Sequence, residues 1–211
     1  MIKNTLLIFS LLFSLNNFAQ IINAVTETGE TVILYKDKTW KYVNDSIIEV
    51  NEIPTNNYKY IKPDESSFMV KSKKMPIGFW LNPKKWSFKK SVSNEAAEFT
   101  FTLKNSDLYA MAITERTKIP LENLKKIAID NAKEVAPDVT IEKEEYRTIN
   151  GEKVLMMQLG GTTQGIKFKY FAYYYSGEIG VVQFVTYCSD NLFEDYKKDM
   201  EIFLNGIVVL Q

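Results

Sequence analysis

An α+β fold is what this 211-residue sequence predicts: a central antiparallel sheet flanked by helices, preceded by a small N-terminal β-hairpin unit. Three observations carry it. Residues 139–187 read as three long strands in succession, broken at Asn150-Gly151, at 160–165 and at 176–180. A helical pattern stands on each side of them, at 120–135 and 191–205. Residues 181–187 contain no charge, as expected of a central strand covered on both faces.

Composition narrows the chemistry. Hydrophobic residues make up 45% and charged residues 25%, the balance of a chain that buries a core. Lys+Arg and Asp+Glu both number 26, so no global basic field attracts nucleic acid or acidic lipid. Histidine is absent, which removes the commonest general base and the commonest metal ligand together. The single cysteine, Cys188, excludes an internal disulfide and a cysteine-clustered zinc site.

Residues 1–19 read as a cleaved signal peptide. Lys3 supplies the positive start, residues 6–15 form an apolar run too short to span a bilayer, and Ala19 offers the cleavage point. The expected location is periplasmic or secreted, with membrane contact only through that segment. Residues 20–43 read as a short β unit with turns at Thr28-Gly29-Glu30 and Lys36-Asp37-Lys38, and with Trp40 and Tyr42 on one face. The pattern Thr28-Gly29-Glu30-Thr31-Val32-Ile33-Leu34, then Asp37-Lys38-Thr39-Trp40-Lys41-Tyr42, resembles a short module common at the N-termini of exported bacterial proteins. Three such strands bury too little to be stable alone. Residues 44–67, rich in Asn, Asp and Ser and interrupted by Pro54 and Pro63, read as a solvated linker.

The main domain spans 68–211. Residues 77–81 are an apolar strand, Asn82-Pro83-Lys84-Lys85 is a turn, and Trp86 and Phe88 return to a core face. Strands at 97–103 and 108–114 make a hairpin around Asn105-Ser106-Asp107. Pro120 opens the first helix, Leu121, Leu124, Ala128 and Val135 form its buried stripe, and Pro137 ends it. A two-residue turn at Asn150-Gly151 sets Ile149 opposite Glu152 and Arg147 opposite Val154. That register makes the face with Tyr146, Leu155, Met157 and Leu159 apolar and the face with Lys143, Glu145 and Arg147 solvated. Residues 160–165 read as a flexible loop. Asn191 is placed to cap the last helix, with Glu194 three residues on, and Gly206 closes it.

This order of elements resembles the PsbP/Mog1-like fold family, an α/β/α sandwich, in its exported bacterial members of unknown function. The residues that carry the likeness are Gly78-Phe79-Trp80-Leu81-Asn82-Pro83-Lys84-Lys85-Trp86, the helix at 121–128 after Ile113-Thr114-Glu115, Asn150-Gly151 before an apolar strand, and Phe193-Glu194-Asp195-Tyr196. The resemblance spans roughly residues 68–211 and implies a non-enzymatic accessory or binding protein. It carries over no catalytic residue, metal ligand or cofactor.

The residues themselves agree with that direction. Glu142, Glu144 and Glu145 read as a solvated strand; as a hydrolase, two of Glu115, Glu142 and Glu144 would have to share a pocket with separated pKa values. Cys188 has no histidine to activate it. The basic, aromatic stretch 71–90 is a weak nucleic-acid signal, better read as half-buried strands. Phe171, Tyr173 and Tyr175 share one face; under a helix they are core, and uncovered they are a binding surface. The expectation is therefore an exported, non-catalytic accessory or binding protein. Its candidate face is Tyr173 and Tyr175 with Thr162, Thr163 and Gln164, and its partner an envelope protein or small ligand, with no cofactor and no nucleic acid. The alternatives are a carboxylate hydrolase of the envelope and a structural module of an envelope assembly acting through residues 21–43.

Overall fold

The structure, a computed structural model, describes residues 22–26, 30–36, 38–42, 52–91 and 96–210. The signal segment at 1–19 lies outside the described residues. Ahead of the main domain, β1 (Ile22–Val25), β2 (Thr31–Leu34) and β3 (Trp40–Tyr42) form a three-stranded antiparallel sheet. Val32 is buried within it, while Trp40 and Tyr42 stay exposed with ring centroids 5.0 Å apart.

The main domain is built on eight strands. They are β4 (Thr55–Tyr60), β7 (Trp86–Lys90), β8 (Ala97–Leu103), β9 (Tyr109–Glu115), β10 (Thr140–Ile149), β11 (Glu152–Thr163), β12 (Ile166–Gly177) and β13 (Gly180–Ser189), in the order β4-β10-β11-β12-β13-β9-β8-β7. The uncharged strand β13 is central, as expected. The hairpin register also holds: Ile149 pairs with Glu152 and Arg147 with Val154, and Asn150 and Gly151 both take the positive φ that such a turn requires. A second, smaller sheet, β14-β6-β5, comprises β5 (Phe68–Lys71), β6 (Ile77–Leu81) and β14 (Ile207–Val209).

Two helices pack on opposite faces of the large sheet. On one face α1 (Leu121–Val135) buries Leu124 and Ala128 against Leu155, Met157, Ala172 and Tyr174. On the other, α2 (Phe193–Leu204) buries Phe193, Met200, Phe203 and Leu204 with Phe171, Tyr173 and Phe184. Trp86 stacks on Phe203 at 3.9 Å between centroids. The described residues are mainly β, so helical flanking is only part of the architecture. The small sheet supplies much of the second face's cover, placing Val70, Ile77, Phe79 and Leu81 in the same core as α2.

Several local expectations change. Residues 55–60, read as linker, form β4, which pairs in parallel with β10 through Tyr146↔Thr55 and Ile149↔Tyr60 and makes the sheet mixed. Polar Thr-Asn-Asn-Tyr-Lys-Tyr can serve because an edge strand needs one apolar side at most. The flexible loop at 160–165 is instead the end of β11 and a tight turn. Thr163 pairs with Ile166, and Gln164 and Gly165 both have positive φ. Gly160 sits where a Cβ would strike the Glu142 carboxylate. Phe88 is 43% exposed on edge strand β7, against Phe68, because only Trp86 reaches the core. A 3-10 turn at Asp190–Leu192 precedes α2, so Asn191 lies inside it and caps nothing.

Candidate binding cleft

A β-bulge between Ile141 and Lys143 governs the chemistry of β10. The extra residue, Glu142, resets which side chains share a face. Beyond it Lys143, Glu145 and Arg147 line up with Gln158, Met156 and Val154, on the face that α2 covers. Glu145 and Arg147 are therefore not solvated: they are 8% and 5% exposed.

Burying an ion pair is stable only when the remaining donors and acceptors find partners. Arg147 Nε donates to Glu145 Oε1 at 2.6 Å, and its Nη1 donates to Tyr173 OH at 2.9 Å and to Glu201 Oε1 at 2.5 Å. Tyr173 OH in turn donates to Asn205 Oδ1 at 2.9 Å. From the edge strand, Asn56 Nδ2 donates to Glu145 Oε1 at 3.1 Å and to Tyr60 OH at 3.0 Å. The Tyr60 ring lies 4.6 Å from the guanidinium carbon, and the Phe171 and Tyr173 rings lie 5.6 and 5.7 Å away. Three elements distant in sequence thus converge on one side chain.

The charges follow from that geometry. Burial opposes the charge on Arg147, but Tyr173, Glu145 and Glu201 outweigh it and hold the guanidinium above its ordinary pKa. Burial likewise disfavours the Glu145 carboxylate, yet the hydrogen bonds from Asn56 and Arg147 bring it below the usual range. Burial raises the Tyr173 hydroxyl, keeping it a neutral donor to Asn205.

Beside this network a cleft of about 380 Å³ opens between β10 and α2. Its strand side is Lys143, Arg147, Gln158 and Phe171, and its helix side is Glu194, Lys197, Lys198 and Glu201. The helix residues follow the spacing that puts them on one face of α2. Lys197 pairs with Glu194 at 3.2 Å, and Lys143 with Glu145 at 3.5 Å.

The residues expected from sequence to form a binding face do not do so together. Tyr173 is wholly buried beneath α2 and Tyr175 is buried in the same core. Thr163 pairs with Ile166 while Tyr175 pairs with Val154, so about 30 Å of strand separates the two ends. Thr162 and Thr163 are half-buried and Gln164 is exposed at the turn tip. The three carboxylates considered for hydrolysis also stay apart. Glu144 pairs with Lys125 of α1 at 2.6 Å, Glu142 pairs with Lys169 on the opposite face, and Glu115 is exposed at the end of β9. Burial pushes the Cys188 thiol up to about 11. Sequence reasoning missed Arg147, Gln158, Lys198 and Glu201 as a group. A single arginine on the Lys143, Glu145 side of its strand was the only local signal.

The main domain has the PsbP/Mog1-like fold. Cyanobacterial PsbP (CyanoP) from Synechocystis sp. PCC 6803 is similar with a TM-score of 0.51 at 10% identity, over 79% of this chain and 98% of that one. LpqN, involved in cell envelope biogenesis of Mycobacterium tuberculosis, is similar with a TM-score of 0.51 at 11% identity, over 68% of this chain and 90% of that one. No protein-family model matches the sequence, and no curated protein matches it. Among the described residues no helix is long and apolar enough to cross a membrane.

Proposed function

We propose that this is an exported accessory protein that acts by binding rather than catalysis, with the cleft between β10 and α2 as its interaction site. The observation that supports this most is the packed polar network around Arg147 at the base of an open cleft. A network of that kind fixes the geometry of a recognition surface. The dispersal of Glu115, Glu142 and Glu144 favours binding over acid–base hydrolysis. The signal-like segment at 1–19 supports export, and the fold's likeness to LpqN, a protein of cell envelope biogenesis, fits an envelope setting.

The partner is an envelope protein or a small ligand. Photo-crosslinking in the native envelope from a probe at Lys198, compared with one at Lys84 on the β6–β7 turn, tests this. Partners recovered from the first position and not from the second are expected. Identical recovery from both would remove the cleft as the interaction site, and none from either would remove an envelope protein as its partner.

A further inference from the structure

Two largely buried side chains at the base of the cleft carry donor groups that the fold itself leaves unused. Arg147 is 95% shielded, and its Nε and Nη1 are engaged as described, whereas Nη2 is bonded to no described residue. Gln158 is 7% exposed, lines the same cleft, and its side-chain amide has no partner among the described residues. Neither group is sealed, since the described buried polar atoms that lack a hydrogen-bond partner are Thr100 Oγ1 and Glu144 Oε2; both donors open onto the cleft, where a ligand can reach them. Neighbouring strands β10 and β11 deliver both, and Phe171 lies beside them as an apolar floor.

Charge states what that something is. Lys143, Arg147, Lys197 and Lys198 line the cleft against Glu194 and Glu201, and Glu145 lies behind Arg147. One positive charge is in excess. Lys198, exposed on α2, is the cation with no partner among the described residues. A single excess charge with planar donors on one wall and a movable ammonium on the other suits a monoanion with two acceptor oxygens.

We propose that the cleft binds a carboxylate, held by Arg147 Nη2 and the Gln158 amide with Lys198 closing over it. The volume admits a small organic acid or the last residues of a peptide chain. This rests on the binding-protein reading above and names the chemistry of its ligand. The same group could arrive on a free acid or on a protein C-terminus, and both share the planar, singly charged head.

The test titrates the full chain with acetylated tri-alanine bearing a free C-terminus, the same peptide as its C-terminal amide, propionate, and inorganic phosphate, read by calorimetry and by side-chain amide NMR. The free-acid peptide, propionate, or both are expected to bind and to shift the Gln158 side-chain amide signals, whereas the amide peptide does not bind. Preference between the two acids tells a chain end from a free acid. Lys198→Ala should weaken binding at least fivefold, Gln158→Leu similarly, and Lys84→Ala not at all. Far-UV circular dichroism and melting of each variant confirm that it is folded. Acids that bind no better than the amide, or phosphate that binds tenfold tighter than either acid, overturn the assignment. So does affinity unchanged by both cleft substitutions. If the folded Lys198→Ala, Gln158→Leu double variant still captures its envelope partners, the carboxylate site fails and the accessory-protein reading stands. If no envelope partner is captured by the native chain while the acid titration succeeds, the site stands and the partner is a small ligand rather than an envelope protein.

Discussion

Replacing Arg147 by Met removes the one cation in a buried cluster and leaves its volume nearly filled. Glu145, 8% exposed, would then be a charge held only by Asn56 and by the half-exposed Lys143 at 3.5 Å. Glu201 is partly exposed and can turn to water, so its share is small. Breaking a buried pair from one side costs about 3–5 kcal/mol, and the loss of ring contacts with Tyr60 and Phe171 adds to it by up to about 1 kcal/mol. Urea unfolding followed by tryptophan fluorescence reads the loss, because Trp86 is stacked on Phe203 in the same core. Arg147→Met with Glu145→Gln should recover about 2 kcal/mol of it, since no charge is then stranded. The pH dependence changes as well. In the native chain Glu145 titrates below its ordinary value, so its stabilisation is complete above the unfolded pKa and is lost as pH falls through the lower folded one. In Arg147→Met the lowering by the guanidinium is gone, burial is opposed only by Asn56 and Lys143, and Glu145 titrates higher than in the native chain. The folded state then holds the proton longer, and the deficit should be smaller near about pH 5 than near about pH 7. A loss below about 1 kcal/mol, or no recovery in the double variant, would refute the account of Arg147 as the keystone of this cluster.

Asn56→Ala should destabilise by about 1–2 kcal/mol, measured in the same urea titration, because Glu145 and Tyr60 both lose a partner. Gly206→Ala should cost about 2 kcal/mol or more in melting experiments, since its Cβ would meet the Trp80 carbonyl oxygen at the join of α2 and β6. Cys188, buried with its thiol raised to about 11, should resist iodoacetamide in the native state and react fully in urea, as seen by intact mass. Removing residues 21–43 should shift the main domain's melting temperature by about 2 °C at most, as β1–β3 share no ladder with the large sheet; loss of envelope complexes on that deletion would favour the structural-module reading.

What the sequence made legible was local. Asn150-Gly151 set the β10–β11 register because a two-residue turn with positive φ allows little else, and the uncharged run of β13 placed that strand at the centre. Both helices followed from their apolar stripes, although Val135, read into the first of them, is exposed at the end of α1. What stayed hidden depended on distant chain. Alternation alone puts Glu142 and Glu144 on one face, but the bulge at Glu142 sends them to opposite faces. Arg147 reads as solvated until β4 and α2 arrive to cover it, and β4 itself has the composition of a tether. Tyr173 looked available for the same reason, since only α2's docking decides whether an aromatic row is surface or interior.

The parallel pairing of β4 with β10 bears on how the molecule assembles. Asn56 and Glu145 are 89 residues apart. Joining such ends directly costs about 4 kcal/mol of chain entropy, for a ladder of only a few bonds. Once the hairpins and the β10–β13 meander exist, the effective loop is far shorter. Docking of β4 is therefore expected to be a late step in folding and an early step in opening. Amide exchange at 55–60 should outpace that of β11 and β12. The guanidinium of Arg147 would be sealed from water last, so the completeness of the cleft reports that the chain has finished folding.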